Sequence, residues 1–269
     1  MNEIKTYRKI KNIMEECIFD KLDKGMTPID ILHVLCKEFD SDKCDLSYKE
    51  KYNKVILHSC RVYKNILLIT KFLENKGHVF TLEDKENLMI ATFFHDIGKL
   101  YKEGKNHPLF SKYMASELFK NENMNLNINR QNKICDMIAW HGNKIYNRDK
   151  ISFLTKMIRD ADLFDEVCGD SLLQLALENI VGKGNPMIKN LNHNVYAFSD
   201  MIILDRNDEN IKNEILEKIN IEENKELYIK LLNEATEKYK RITDWEIRHD
   251  EKMKGIKLMD KDTIMINIK

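Results

Sequence analysis

The stretch MIATFFHDIGKL, residues 89–100, decides how the rest of the chain is read. Its apolar positions Ile90, Phe93, Phe94 and Ile97 recur at the i, i+3, i+4, i+7 spacing of a helix buried along one face. His95 and Asp96 interrupt that interior-like run. Moving a carboxylate into apolar surroundings costs on the order of several kcal/mol unless it is paired, hydrogen-bonded or bound to a cation. A divalent ion offsets that cost, and neutral imidazole with carboxylate suits Mn, Fe, Zn, Ni, Co or Mg. Taken alone, the pair fits a polar helix end equally well.

On both sides of this stretch the punctuation is that of helices. Thr81 with Asp84 is a capping-box pattern that opens the helix carrying this stretch, and Gly98 is expected to close it. Upstream, Ser47 with Glu50 opens a helix over about 48–75, closed by Lys76 and Gly77. Downstream, Pro108 marks the start of a third helix, a fourth runs from about Arg130 to Trp140 and stops at Gly142, and a fifth follows Asp149. Glu222 to Arg241 reads as a further helix. With only 9 glycines and 3 prolines, the chain has few positions for strand turns, so the expected fold class is all-α. The expected organisation is an N-terminal helical extension over 1–46, a core over 47–180, and C-terminal helices over 181–269 packed on the same domain. The turn-rich VGKGNP at 181–186 reads as an ordinary loop, because no shift in composition accompanies it.

Lys and Arg number 44, as do Asp and Glu, so no global field draws the chain to nucleic acid or an anionic membrane. No segment approaches the roughly 18 apolar residues of a bilayer span, and the polar start lacks a signal-peptide apolar core. A cytoplasmic protein with no membrane partner is expected. Cys17, Cys36, Cys44, Cys60, Cys135 and Cys168 are scattered without C-x-x-C pairs, which reads as small buried side chains in a reducing compartment.

Other histidines and aspartates fall on separate predicted elements. His58 lies within VILHSCRVYKNILLI, His107 just before the third helix, His141 at the end of the fourth, and Asp162 within IRDADLFDE on the fifth. Each alone has an ordinary reading: a core histidine, a surface loop, a cation at a helix C-terminus. Asp165 lies inside the apolar stripe of Leu154, Met157, Ile158 and Ala161, with Asp162 at one edge of it and Asp160 at the other. Periodicity does not choose among these three.

A His, then HDIGK at 95–99, then the Asp of DADLFD at 160–165 resembles the HD-domain superfamily over roughly residues 48–180. The resemblance implies a helical bundle whose metal ligands are His58, His95, Asp96 and Asp162, the last chosen over Asp160 by the family's A-D-x-x form. His107 and His141 match two further histidines of members that hold two ions, with Asp96 bridging. Members that cleave cyclic dinucleotides carry another His where this chain has Gly142, and their G-Y-P signature is missing. Segments 1–46 and about 185–269 fall outside the resemblance.

The implied activity is a metal-dependent phosphohydrolase with one or two divalent ions. Asp96 orients the ion, and Lys99 and Arg61 contact substrate phosphate. Lys99 follows Asp96 by three positions and Arg61 follows His58 by three, so each shares its neighbour's side of a helix. RDADLFDEVCGDS resembles small nucleotide-hydrolysing members, which makes a nucleotide or nucleotide-like phosphoester the expected substrate. Two other classes remain open. An HD-type di-iron oxygenase would use the same six ligands, and a metal-stabilised, non-catalytic helical module would use the flanking helices to bind a partner. A nucleic-acid substrate is not favoured by the neutral charge, although lysines cluster at 51–64 and 144–156.

Overall fold

A computed structural model of the chain describes residues 52–100, 106–120, 126–142, 150–169, 203 and 206–252. The expected N-terminal extension, the Ser47 and Glu50 capping pair and the VGKGNP turn lie outside the described residues. Among the described residues all regular structure is helical. The helices are α1 (His58–Asn75), α2 (Leu82–Phe94), α3 (His107–Phe119), α4 (Ile128–Trp140), α5 (Phe153–Val167), α6 (Glu209–Lys218) and α7 (Glu223–Lys252).

Their boundaries follow local chemistry. Asn127, Ser152 and Asp208 cap α4, α5 and α6 by accepting backbone N–H groups of the first turn. The Thr81 and Asp84 capping box forms as the sequence predicts. At the end of α1, Gly77 at φ 97° reverses the chain, its N–H bonding to the Glu74 carbonyl and that of His78 to the Leu73 carbonyl. This closing pattern needs the left-handed conformation that glycine adopts without strain.

Two boundaries differ from expectation. The segment before His58 is a π-helical turn, Tyr52–Leu57, so the α-helix proper begins at His58. The second helix ends at Phe94 instead of Gly98, and a 3-10 turn follows at Ile97–Leu100. The physical reason is a close contact downstream: the backbone at Gly98 turns onto the start of α3, donating its N–H to Ser111 Oγ at 2.8 Å.

One core joins these helices. Val62, Ile66, Ile69 and Leu73 of α1 are buried at helical spacing and face α2 and α5. Ile90, Phe93, Phe94 and Ile97 are all buried, and the Phe94 ring meets Phe119 of α3 edge-on at 5.8 Å. Helix α4 packs on α2, α3 and α5, and α7 packs on α1 and α5. The last of these contacts is fixed by Asp160. Its Oδ1 accepts from the backbone and side-chain N–H groups of Asn220 (both 2.7 Å), and its Oδ2 from Ile221 N (3.1 Å) and Asn224 Nδ2 (2.8 Å). A fully buried carboxylate is tolerated here because four donors surround it.

Candidate metal centre

Four of the six predicted ligands stand at helix ends and face one another across the bundle. His58 and His107 are the first residues of α1 and α3. His95 and His141 are the residues that follow α2 and α4. Asp96 follows His95, and Asp162 lies on α5.

His95 and His141 are oriented by the same device. Each ring Nδ1 lies 2.6 Å from a backbone carbonyl three residues back, that of Thr92 and of Ile138. A carbonyl only accepts, so Nδ1 carries the proton and Nε2 turns inward with its lone pair. His58 is held differently: its Nδ1 sits 2.8 Å from Asp165 Oδ2, while its Nε2 faces the centre.

The inward atoms fall into two groups that share Asp96. Around Oδ2 of Asp96 lie His58 Nε2 at 3.2 Å and His95 Nε2 at 3.6 Å, with Asp162 Oδ1 3.2 Å from His58 Nε2 and 3.7 Å from His95 Nε2. Around Oδ1 lie His107 Nε2 at 3.0 Å and His141 Nε2 at 3.6 Å. The two imidazole pairs bring Nε2 atoms within 3.2 Å (His58 and His95) and 3.1 Å (His107 and His141).

This donor set fits a metal. Ligand atoms about 2.0–2.2 Å from one ion lie roughly 3–3.5 Å from each other, the spacing found here. The sets His58, His95, Asp162 and His95, Asp96, His141 each bring all ligand atoms within 4.8 Å of one another. Asp96 is only 1% exposed, and its buried Oδ1 has the two imidazole nitrogens of His107 and His141 near it but no well-aligned hydrogen bond among the described residues. A carboxylate at that depth needs compensating positive charge, which a bound cation supplies.

The electrostatics agree. Burial works against a charged Asp96, yet His95, His107, His141 and His58 outweigh it and hold the carboxyl well below its usual range. Burial is likewise outweighed at Asp162, which His58 and His95 keep ionised. Burial lowers His141, with His95 adding to the effect against Asp96, so it is a neutral ligand type. At His58, burial lowers the pKa, but Asp162, Asp165 and Asp96 together raise it to about 11.

Lys99 Nζ reaches Asp96 Oδ2 from the 3-10 turn, so the pairing expected along a continued helix arises from a different backbone path. Arg61 is placed otherwise than expected. Its guanidinium makes a two-point pair with Asp165, Nε to Oδ1 at 2.8 Å and NH2 to Oδ2 at 2.9 Å, behind His58 and on the far side of that ring from Asp96. The three aspartates of DADLFD take three directions: Asp160 to α7, Asp162 to the centre, Asp165 to His58 and Arg61. In the sequence, the place of Asp165 on the apolar stripe of an amphipathic helix is the signal of such a buried partner.

Residues 55–166 match the family model of the HD domain. This segment is an HD domain. The match spans every residue of the centre, from His58 to Asp162. HD domains characterise a superfamily of metal-dependent hydrolases and typically bind divalent ions. No curated protein and no solved structure matches the chain. Among the described residues, no helix is long and apolar enough to cross a membrane.

Proposed function

We propose that this HD domain is a phosphohydrolase that cleaves a phosphoester of a nucleotide or nucleotide-like substrate, with His58, His95, Asp96, His107, His141 and Asp162 holding two divalent ions. The observation that carries the reading is the division of the two Asp96 oxygens between two imidazole pairs, with the Lys99 ammonium beside one of them. Bound divalent ions lower the pKa of water and balance charge on attacking and leaving oxygens. The chain supplies the rest. Asp96 and Asp162 fix the donor positions, and the Nδ1 bonds of His95 and His141 keep their Nε2 lone pairs aimed inward. Lys99 brings the positive charge that the equatorial oxygens of a transferring phosphoryl group require. Burial lowers the Lys99 pKa, but Asp96 outweighs it and keeps the ammonium charged.

Gly142 stands where the members that cleave cyclic dinucleotides carry a further histidine, which disfavours that substrate; a Cβ there would sit 3.1 Å from Pro108 Cγ and in ordinary contact, 3.7 Å, with the His107 ring.

The test is a screen of the protein, loaded in turn with Mn, Ni, Fe, Co and Mg, against nucleotides, cyclic dinucleotides and oligonucleotides, with oxygen uptake followed beside phosphate release. Phosphate release from mononucleotides supports the reading. Tightly held iron with oxygen uptake and no phosphate release would replace it with an oxygenase. Inactivity on all phosphoesters, with metal required only for folding, would favour a non-catalytic module.

A further inference from the structure

The HDIG turn does more than carry His95 and Asp96. Gly98 lies against the first turn of α3 so closely that a Cβ there would meet the His107 carbonyl oxygen at 2.3 Å, Ser111 N at 2.7 Å and Ser111 Oγ at 2.8 Å. Two of these atoms are backbone, so no rotamer change relieves the clash. The same approach is stitched by Gly98 N–H donating to Ser111 Oγ, and Ser111 is wholly buried. His107 is the first residue of α3. Its Nε2 then stands 3.0 Å from Asp96 Oδ1 and 3.1 Å from His141 Nε2.

Building on the two-ion reading above, we propose that Gly98 and Ser111 are positioning residues for the second ion alone: their contact sets His107 against Asp96 and His141, and without it the centre holds one ion. Ligand distances tolerate errors of about 0.2 Å. A methyl at Gly98 forces the contact with the His107 carbonyl open from 2.3 Å to beyond 3.0 Å. That displacement exceeds what the second position can absorb. The other position draws His58, His95 and Asp162 from α1, the end of α2 and α5, and none of these is among the atoms nearest a Gly98 Cβ. It also has a carboxylate of its own, Asp162, in addition to Asp96.

The experiment is Mn titration of the full chain with metal content per chain and Mn–Mn coupling read by electron paramagnetic resonance, and with the fold checked by circular dichroism. Wild type is expected to take two coupled ions. Gly98→Ala is expected to take one uncoupled ion with the affinity of the first site unchanged. Ser111→Ala, which leaves the Gly98 N–H without its acceptor, is expected to weaken the second ion by about 10- to 100-fold, with Ser111→Thr restoring it. If Gly98→Ala fails to fold, Ser111→Ala decides alone. Two coupled ions of wild-type affinity in a folded Gly98→Ala or in Ser111→Ala overturn the proposal and leave the two-ion reading standing. A wild-type chain that takes one ion or none overturns both.

Discussion

The two sides of Asp96 are built by different means. On the Oδ2 side, His58 and Asp162 come from α1 and α5, which pack directly on each other, and the His58 ring is held from behind by Asp165 and Arg61. On the Oδ1 side, His107 and His141 stand at the ends of α3 and α4; the Gly98 backbone meets that of His107 too closely for a Cβ, and the His141 ring is held by the Ile138 carbonyl. The Oδ2 side is backed by an ion pair, whereas on the Oδ1 side the entry of α3 leaves no room for a side chain at Gly98. Charge can be tuned by substitution, whereas that approach is opened by one added methyl.

Substitution and pH act on the two sides by different amounts. Asp96→Ala removes the residue common to both sides. Metal content is expected to fall on both, and phosphate release by on the order of 1,000-fold, measured by elemental analysis beside a turnover assay. Retained coupled ions in Asp96→Ala would show that the two sides are independent.

Lys99→Met is expected to lower kcat/KM by about 100-fold with metal content unchanged, because it withdraws charge from the phosphoryl group and no ligand from an ion. Loss of metal in this variant would instead make Lys99 a support for Asp96.

Asp165→Asn and Arg61→Met act on the Oδ2 side only. Supporting residues of this kind are worth about 10- to 100-fold in metal affinity, so the first ion is expected to weaken by that factor while His107 and His141 keep theirs. A raised KM with unchanged metal binding in Arg61→Met would return Arg61 to the substrate-contact role that its spacing implied.

The smallest effect is in pH. His58 is raised from 6.5 to about 11, so its ring is protonated near neutrality and a metal has to displace that proton. Affinity on this side is expected to rise with pH between those two values. Binding at about pH 8 should release about one proton, read by calorimetry in buffers of different ionisation enthalpy. In metal-free protein the sign reverses. The raised pKa stabilises the fold fully below 6.5, and that stabilisation is lost as pH rises toward about 11, which denaturant midpoints across that range would show.

Much of this was legible in the chain. Helix spacing in MIATFFHDIGKL, the Thr81 capping box and Pro108 gave the helices and most of their ends, because these signals act within one or two turns. Asp96 and the five residues that converge around it, His58, His95, His107, His141 and Asp162, were each named from the sequence through their match to the HD-domain pattern. What stayed illegible depended on partners far along the chain. Arg61 and Asp165 are separated by 104 positions, and Asp160 finds its donors 60 to 64 positions away. The choice among Asp160, Asp162 and Asp165 is of the same kind, since all three lie within two turns of one helix and only the neighbouring elements tell them apart.

By itself the sequence determined an all-α chain and a set of buried imidazoles and carboxylates, because periodicity, capping and the cost of burying charge are local properties. Only the tertiary structure decided that the helix stops at Phe94, that Gly98 brings His107 to Asp96, and that Arg61 serves His58 through Asp165. Each of those outcomes is a close approach between segments distant in sequence, and no local propensity encodes which surfaces will meet.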